Sequence, residues 1–180
     1  DDFHAETQIS IQMISGDENS LPDALAAFAA SAALSVSDIP FQGPISEVRV
    51  ARVDGQYLIN PTFEQKEKAD LDFIVAASIE NILMVEGECK EINEEDMLTA
   101  LKLAHEAIKV QCQIQLELAE ATGKTQKRVY EHEVKDEAFK AELHALLYDK
   151  VYEVARQQLK NKHTRSELFG KIVEDYLASL

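Results

Sequence analysis

At 180 residues, 46% of them apolar, the chain can build one or two small domains around a real core and is too apolar to stay disordered. Its 33 acidic and 18 basic side chains leave a net charge of −15, which excludes a protein that grips a phosphate backbone over its whole surface. No apolar run approaches the roughly 18 residues of a membrane-crossing helix, and the acidic start lacks the features of a secretory leader. A start without Met, close to a strand-like segment, suggests a domain cut from a longer chain, or a processed N-terminus.

In chain order, residues 8–14 alternate. Ile9, Ile11 and Met13 face one way and Gln8, Ser10 and Gln12 the other, the pattern of a half-buried strand. Gly16-Asp17-Glu18-Asn19 makes a turn. Asn19 or Ser20 is the expected cap of a helix over residues 22–36, with Pro22 in its first turn and Asp23 favoured near its positive end. That helix is nearly all alanine between Leu25, Phe28 and Leu34, so it is expected to be buried on several sides. Residues 45–53 read as a strand. Asp54-Gly55 is a hairpin turn because both positions tolerate positive φ, and residues 57–59 return. Residues 62–68 are polar and expected to be exposed.

Residues 71–77 and 82–86 give two more strands. Asn93 caps a long helix whose Glu94, Glu95 and Asp96 match its dipole. Met97, Leu101, Ala104, Ile108 and Cys112 form its apolar stripe, and Gly123 stops it. Together these predict an α+β fold, a mixed sheet packed with two helices, followed by an α-helical segment. After a polar linker at 124–128, residues 133–158 are periodic through Phe139, Leu143, Leu146, Leu147, Lys150 and Val154. Residues 168–180 continue through Leu168, Ile172, Val173, Tyr176 and Leu177, with Thr164 or Ser166 as cap. Two such helices bury little by themselves.

Charge is unevenly placed. Residues 1–123 hold 23 acidic and 7 basic side chains, whereas residues 124–180 hold 10 and 11. The first part therefore reads as a scaffold, with any basic channel supplied from elsewhere. Arg49 and Arg52 read either as RNA contacts in an assembly or as ordinary surface charges. Lys127, Arg128, Lys160, Lys162 and Arg165 read either as a channel lining or as a solvated face. Cys89 and Cys112 fit no ligand pattern and are expected to be buried free thiols. His105 reads as a packed or surface residue. There is no Ser/His/Asp order, P-loop, GxGxxG or zinc pattern. Asp70-Leu71-Asp72 is the one segment with possible chemistry. On a strand the two carboxylates share a side, where they can hold Mg²⁺ through oxygen or stand exposed at a strand start.

Five segments carry a resemblance: Ala30-Ser31-Ala32-Ala33-Leu34-Ser35, Ile39-Pro40-Phe41-Gln42-Gly43-Pro44-Ile45, Val53-Asp54-Gly55-Gln56-Tyr57-Leu58-Ile59-Asn60-Pro61-Thr62, Ala69-Asp70-Leu71-Asp72-Phe73-Ile74-Val75-Ala76 and Ile82-Leu83-Met84-Val85-Glu86. In order and spacing they resemble the bacterial polynucleotide phosphorylase family, strongly over about residues 5–123 and more weakly beyond. The resemblance implies a ribonuclease PH-like half-domain over 1–123, the second half of the family's first core copy. Residues 124–180 would begin the all-helical linker domain, which looks incomplete here.

Catalysis in that family belongs to the other core copy, so the resemblance implies no catalytic residue here. The family's phosphate-binding serine run corresponds to Ser20-Leu21-Pro22-Asp23. Its metal-holding acidic positions correspond to Glu64, Asp70 and Asp72, with Lys66 at an acidic loop position and Ile74 where a lysine assists. These are vestigial metal and phosphate positions. Mg²⁺ and inorganic phosphate are implied for the parent enzyme, and none for this chain. The parent is implied to be a cytoplasmic homotrimer degrading RNA in the 3′-to-5′ direction, with no DNA or membrane partner. The alternatives are an acidic, non-catalytic protein-interaction scaffold and a stand-alone ribonuclease PH-like enzyme.

Overall fold

The computed structural model describes residues 3–131 and 134–180. The chain forms two compact units, residues 1–131 and 132–180.

Residues 8–14 do not form the expected strand. They are exposed, and no strand among the described residues pairs with them. Alternation encodes a two-sided ribbon, but a ribbon becomes a strand only with a ladder partner for its N–H and C=O groups. Helix α1 (Asp23–Ser35) follows, with Pro22 itself at the N-cap and no side-chain cap. Neither Asn19 nor Ser20 caps it, because Asp17 gathers the turn instead. Its carboxylate accepts the backbone N–H groups of Asn19 and Ser20 and the Ser20 hydroxyl at 2.7–2.9 Å. Only Ala24, Ser31 and Ser35 of α1 are buried, and Leu25 is 57% exposed. The alanines therefore line a narrow contact, and α1 is not enclosed on several sides.

Strands β1 (Ile45–Val53), β2 (Gln56–Ile59), β3 (Leu71–Ser78) and β4 (Ile82–Cys89) make one antiparallel sheet in the order β2-β1-β3-β4. Asp54 and Gly55 turn β1 into β2 with φ of 51° and 77°, as the hairpin signal requires. Helix α2 (Phe63–Lys68) occupies the stretch read only as polar. Thr62 accepts the Gln65 N–H while the Gln65 side chain accepts the Thr62 N–H, a capping box.

Helix α3 (Glu94–Ala121), capped by Asn93, lies on one face of the sheet. Ala100, Ala104, Ile108 and Cys112 meet Val48, Val50, Leu71, Phe73, Val75 and Ala77, and all but Phe73 are fully buried. Spacing by four places these residues on one face, and the alanines let the helix approach closely. Met97 and Leu101 of the expected stripe sit at its margin. Gln115 continues it: fully buried, its amide donates to the Ile45 carbonyl at 2.9 Å and its oxygen accepts from Ser35 Oγ. The His105 ring lies 3.0 Å from the Ser78 carbonyl. Cys112 is buried, which raises its pKa, but Cys89 is exposed on edge strand β4, so only one of the two thiols is buried as expected.

Residues 124–131 stay with the first unit. Lys127 Nζ donates to the carbonyls of Leu34, Ser35 and Ser37 at 3.0, 2.9 and 2.8 Å, closing the C-terminal end of α1. Arg128 pairs with Asp38 at 2.9 Å. These two cations thus fasten a segment to the end of α1, Lys127 through carbonyls and Arg128 through a half-exposed ion pair.

The second unit contains α4 (Glu137–Arg156) and α5 (Lys162–Leu177). The expected helix start at Glu133 lies outside the described residues. Asp136 caps α4. Asn161 caps α5 by accepting the His163 and Thr164 N–H groups, so neither Thr164 nor Ser166 is the cap and the helix begins earlier than expected. Val154 is the one buried residue described in this unit. Leu143, Leu147, Leu168, Phe169, Ile172 and Tyr176 are half-buried, and Phe139, Leu146, Val173 and Leu177 are exposed.

Candidate functional site

The positions singled out in the sequence converge around the start of β3. The Asn19–Ser20 turn meets the start of α2 through a Ser20–Thr62 bridge and a hydrogen bond from the Phe63 N–H to the Asn19 carbonyl. A cavity of about 420 Å³ beside them is lined by Phe63, Lys66, Asp70, Asp72, Glu88 and Lys90, among others.

Asp70 and Asp72 both line this cavity, but each is held by a different arginine of β1. Asp70 lies just before β3 begins, so the two do not form the paired side expected of a strand. Arg49 and Arg52 are three residues apart, and an odd spacing on a strand sends side chains to opposite faces. On the face toward α1, Arg49 Nη1 donates to both Asp72 oxygens at 2.7 and 2.8 Å. Its Nε and Nη2 donate to Asp23 Oδ2 at 3.2 and 2.6 Å. The side chains of Arg49 and Asp72 are 12% and 9% exposed, so this is an internal ion pair with Asp23 at its wetter rim. Lys66 Nζ approaches Asp72 at 3.5 Å. On the face toward α3, Arg52 donates to Asp70 at 2.9 and 2.8 Å and pairs with Asp96 in the first turn of α3. Tyr57 donates its hydroxyl to the same Asp96 at 3.0 Å. Arg49 and Arg52 are therefore not ordinary surface charges: both are largely buried and ion-paired within this chain. Glu64 stands apart, exposed on α2 and paired with Lys68 at 2.6 Å.

The ionisation of these groups follows from the pairing. Burial pushes the Asp23 carboxyl up, but hydrogen bonds from Arg49 and from the Ala24 N–H outweigh it and leave its pKa lowered. Hydrogen bonds from Arg52 hold Asp70 below the usual carboxylate range. The same bonds to Asp70 and Asp96 push Arg52 up. Glu47, two residues before Arg49 on the same face of β1, goes the other way: burial raises its pKa, and the neighbouring Asp23 adds to the rise. A carboxyl raised in the folded state stabilises the fold below its ordinary value of 4.5 and loses that contribution as pH rises through the folded value. Glu47→Gln is therefore expected to raise the melting temperature at pH 7. The gain stays below about 1 kcal/mol because Glu47 is partly solvated, and it vanishes near pH 4. Thermal unfolding of both proteins across that range measures it.

A divalent cation would need oxygen ligands free to approach it. Here Asp72 is taken by Arg49 and Lys66, Asp70 by Arg52 and Glu64 by Lys68. As they stand, these carboxylates do not fit Mg²⁺. Nor does the start of α1 fit phosphate: the Ser20 hydroxyl donates to Asp17, and Asp23 puts a carboxylate where an anion would sit. Among the described residues no group of three or more His, Cys, Asp or Glu side chains is placed to hold a metal ion.

Asp23 and Asp96 were not marked as partners by any motif or spacing. Their signal was indirect: arginines on a strand whose neighbours Val48, Val50 and Ala51 are all buried need a carboxylate, and the first turns of α1 and α3 supply one each.

The sheet with its helices is the α+β fold of ribonuclease PH-like proteins, and residues 43–107 match the family described as "3′ exoribonuclease family, domain 2". Over nearly its whole length the chain is homologous to polyribonucleotide nucleotidyltransferases. It is 57% identical over 99% of its residues to that of Porphyromonas gingivalis, covering 24% of the relative. It is 59% identical over 99% to that of Parabacteroides distasonis, again covering 24%, and 54% identical over 99% to that of Bacteroides fragilis, covering 25%. The chain thus spans about a quarter of the length of the curated relatives it matches.

Proposed function

We propose that this chain is the structural, non-catalytic part of a longer polyribonucleotide nucleotidyltransferase, a 3′-to-5′ phosphorolytic exoribonuclease that degrades RNA. In this reading the longer protein is a cytoplasmic homotrimer that uses Mg²⁺ and inorganic phosphate. Its catalytic metal and phosphate positions lie outside this chain, and Glu64, Asp70 and Asp72 are vestiges of such positions. The observation that carries the reading is that Asp70 and Asp72 are each taken up by a different arginine. Transfer at phosphorus needs a cation against the developing charge and ligands gathered to hold it. In this chain the two carboxylates answer arginines on opposite faces of the sheet.

Charge supports the same reading. Of the seven Lys and Arg residues in 1–123, Arg49, Arg52, Lys66, Lys68 and Lys109 are in ion pairs, and Lys90 donates to the Ala69 carbonyl. Few cations are left for an RNA backbone, whose binding scales with the phosphates neutralised. The fold therefore serves as a frame, with RNA held by other parts of the longer protein. No helix among the described residues is long and apolar enough to cross a membrane.

The purified chain is expected to release no nucleoside diphosphate from poly(A) in the presence of phosphate and Mg²⁺. Robust turnover, with contaminating enzyme excluded by active-site titration, would show that the reading is wrong.

A further inference from the structure

We propose that the Arg49 guanidinium is a resident cation standing between Asp23 and Asp72 in the place a divalent ion would take, so that the native chain keeps this position closed to metal. The proposal rests on the reading of the chain as non-catalytic and adds the device that makes it so.

Three nitrogens of Arg49 contact the two carboxylates: Nη1 bridges both oxygens of Asp72, and Nε and Nη2 share Asp23 Oδ2. The planar guanidinium holds these donors in fixed directions and stays charged at any working pH. The carboxylates come from separate elements, α1 and β3, so the cation joins the helix to the sheet as a structural metal would. Mg²⁺ binds oxygen at about 2.0–2.1 Å with near-octahedral demands. An ion at that distance would have to displace the guanidinium from the same oxygens.

Charge points the same way. Asp23, Asp72 and the half-buried Glu47 face Arg49 and the more weakly placed Lys66. Removing Arg49 leaves the Asp23 and Asp72 carboxylates it joined with only Lys66 nearby, an unneutralised charge that attracts a cation. Arg49 is also fixed through its backbone. Its N–H donates to Asn60 Oδ1 at 3.0 Å and its carbonyl accepts the Asn60 N–H at 2.7 Å, so the side chain is anchored where it acts.

The test uses Mn²⁺ as probe on the whole 180-residue chain. In the unsubstituted protein, amide resonances of residues 23 and 72 are expected to keep their intensity at Mn²⁺ levels that broaden exposed carboxylates such as Glu64. Arg49→Ala is expected to melt lower, to bind Mn²⁺, and to recover much of the lost melting temperature at about 100 times the Mn²⁺ dissociation constant. Arg49→Lys, which keeps a cation, is expected to take up none, and Arg49→Ala with Asp72→Asn is expected to lose the uptake. Broadening at residues 23 and 72 in the unsubstituted chain would overturn the proposal. So would a folded Arg49→Ala chain that takes no Mn²⁺. If Arg49→Ala does not fold, the resonances of the unsubstituted chain and the Arg49→Lys uptake decide. A chain that degraded poly(A) would defeat the non-catalytic reading and leave the Mn²⁺ result to be judged separately.

Discussion

Arg49→Met is expected to destabilise the first unit by about 2–4 kcal/mol, read from urea unfolding at pH 7. Breaking a buried ion pair by removing one partner leaves the other charge buried without compensation, which costs about 3–5 kcal/mol where burial is complete. Asp72, 9% exposed, meets that condition; Asp23, 32% exposed, partly rehydrates, and Lys66 remains near Asp72. The lower range follows. Methionine keeps the stem volume of arginine, so the loss reports charge more than packing. The corollary separates this cause from a packing defect: adding Asp72→Asn to Arg49→Met should return part of the loss, because no buried carboxylate is then left unpaired. Additive losses from the two substitutions would assign the effect to shape.

Gly87→Ala is expected to cost about 2–5 kcal/mol and to strip hydrogen-exchange protection from β4. Gly87 has φ of 150°, a region that side-chain-bearing residues rarely adopt. A Cβ there would lie 2.1 Å from the Asp72 carbonyl oxygen and 2.8 Å from the Phe73 Cα, both backbone atoms. Neither can swing aside as a flexible side chain would. The ladder between β3 and β4 must open where Phe73 faces Gly87, beside Asp72. Because β4 is an exposed edge strand, the opening can stay local, which sets the lower end of the range. Amide exchange in β4, compared with that in β1, distinguishes local release from global loss.

The hairpin at Asp54-Gly55 and the long helix after Asn93 were legible because each is fixed by local chemistry: a pair of positive φ angles, and a cap with its dipole-matched acids. The inward stripe of α3 was legible in part. Ala104, Ile108 and Cys112 stood out, whereas Gln115 did not, because a polar residue joins a core stripe only when distant partners, here Ser35 and Ile45, satisfy it. Residues 8–14 show the opposite failure, since their alternation was real but no strand among the described residues pairs with them. Helix α2 went unread although Thr62 and Gln65 spell its capping box.

At the candidate site, Asp70 and Asp72 were located in the sequence but their capture by different arginines was not. A spacing of three on one strand sends Arg49 and Arg52 to opposite faces. What no spacing could supply was the identity of their partners, Asp23 and Asp96, which arrive from helices 26 and 44 residues away in sequence.

The central claim, that this chain frames a catalytic site located elsewhere, is tested most directly in the longer protein. Asp70→Asn and Asp72→Asn would be introduced separately, and nucleoside diphosphate release from poly(A) measured at a temperature where each variant is folded. Rates within about twofold of the unsubstituted protein are predicted for both. A loss of about a hundredfold or more in either, with the fold intact, would place that carboxylate in the working metal site and contradict the account.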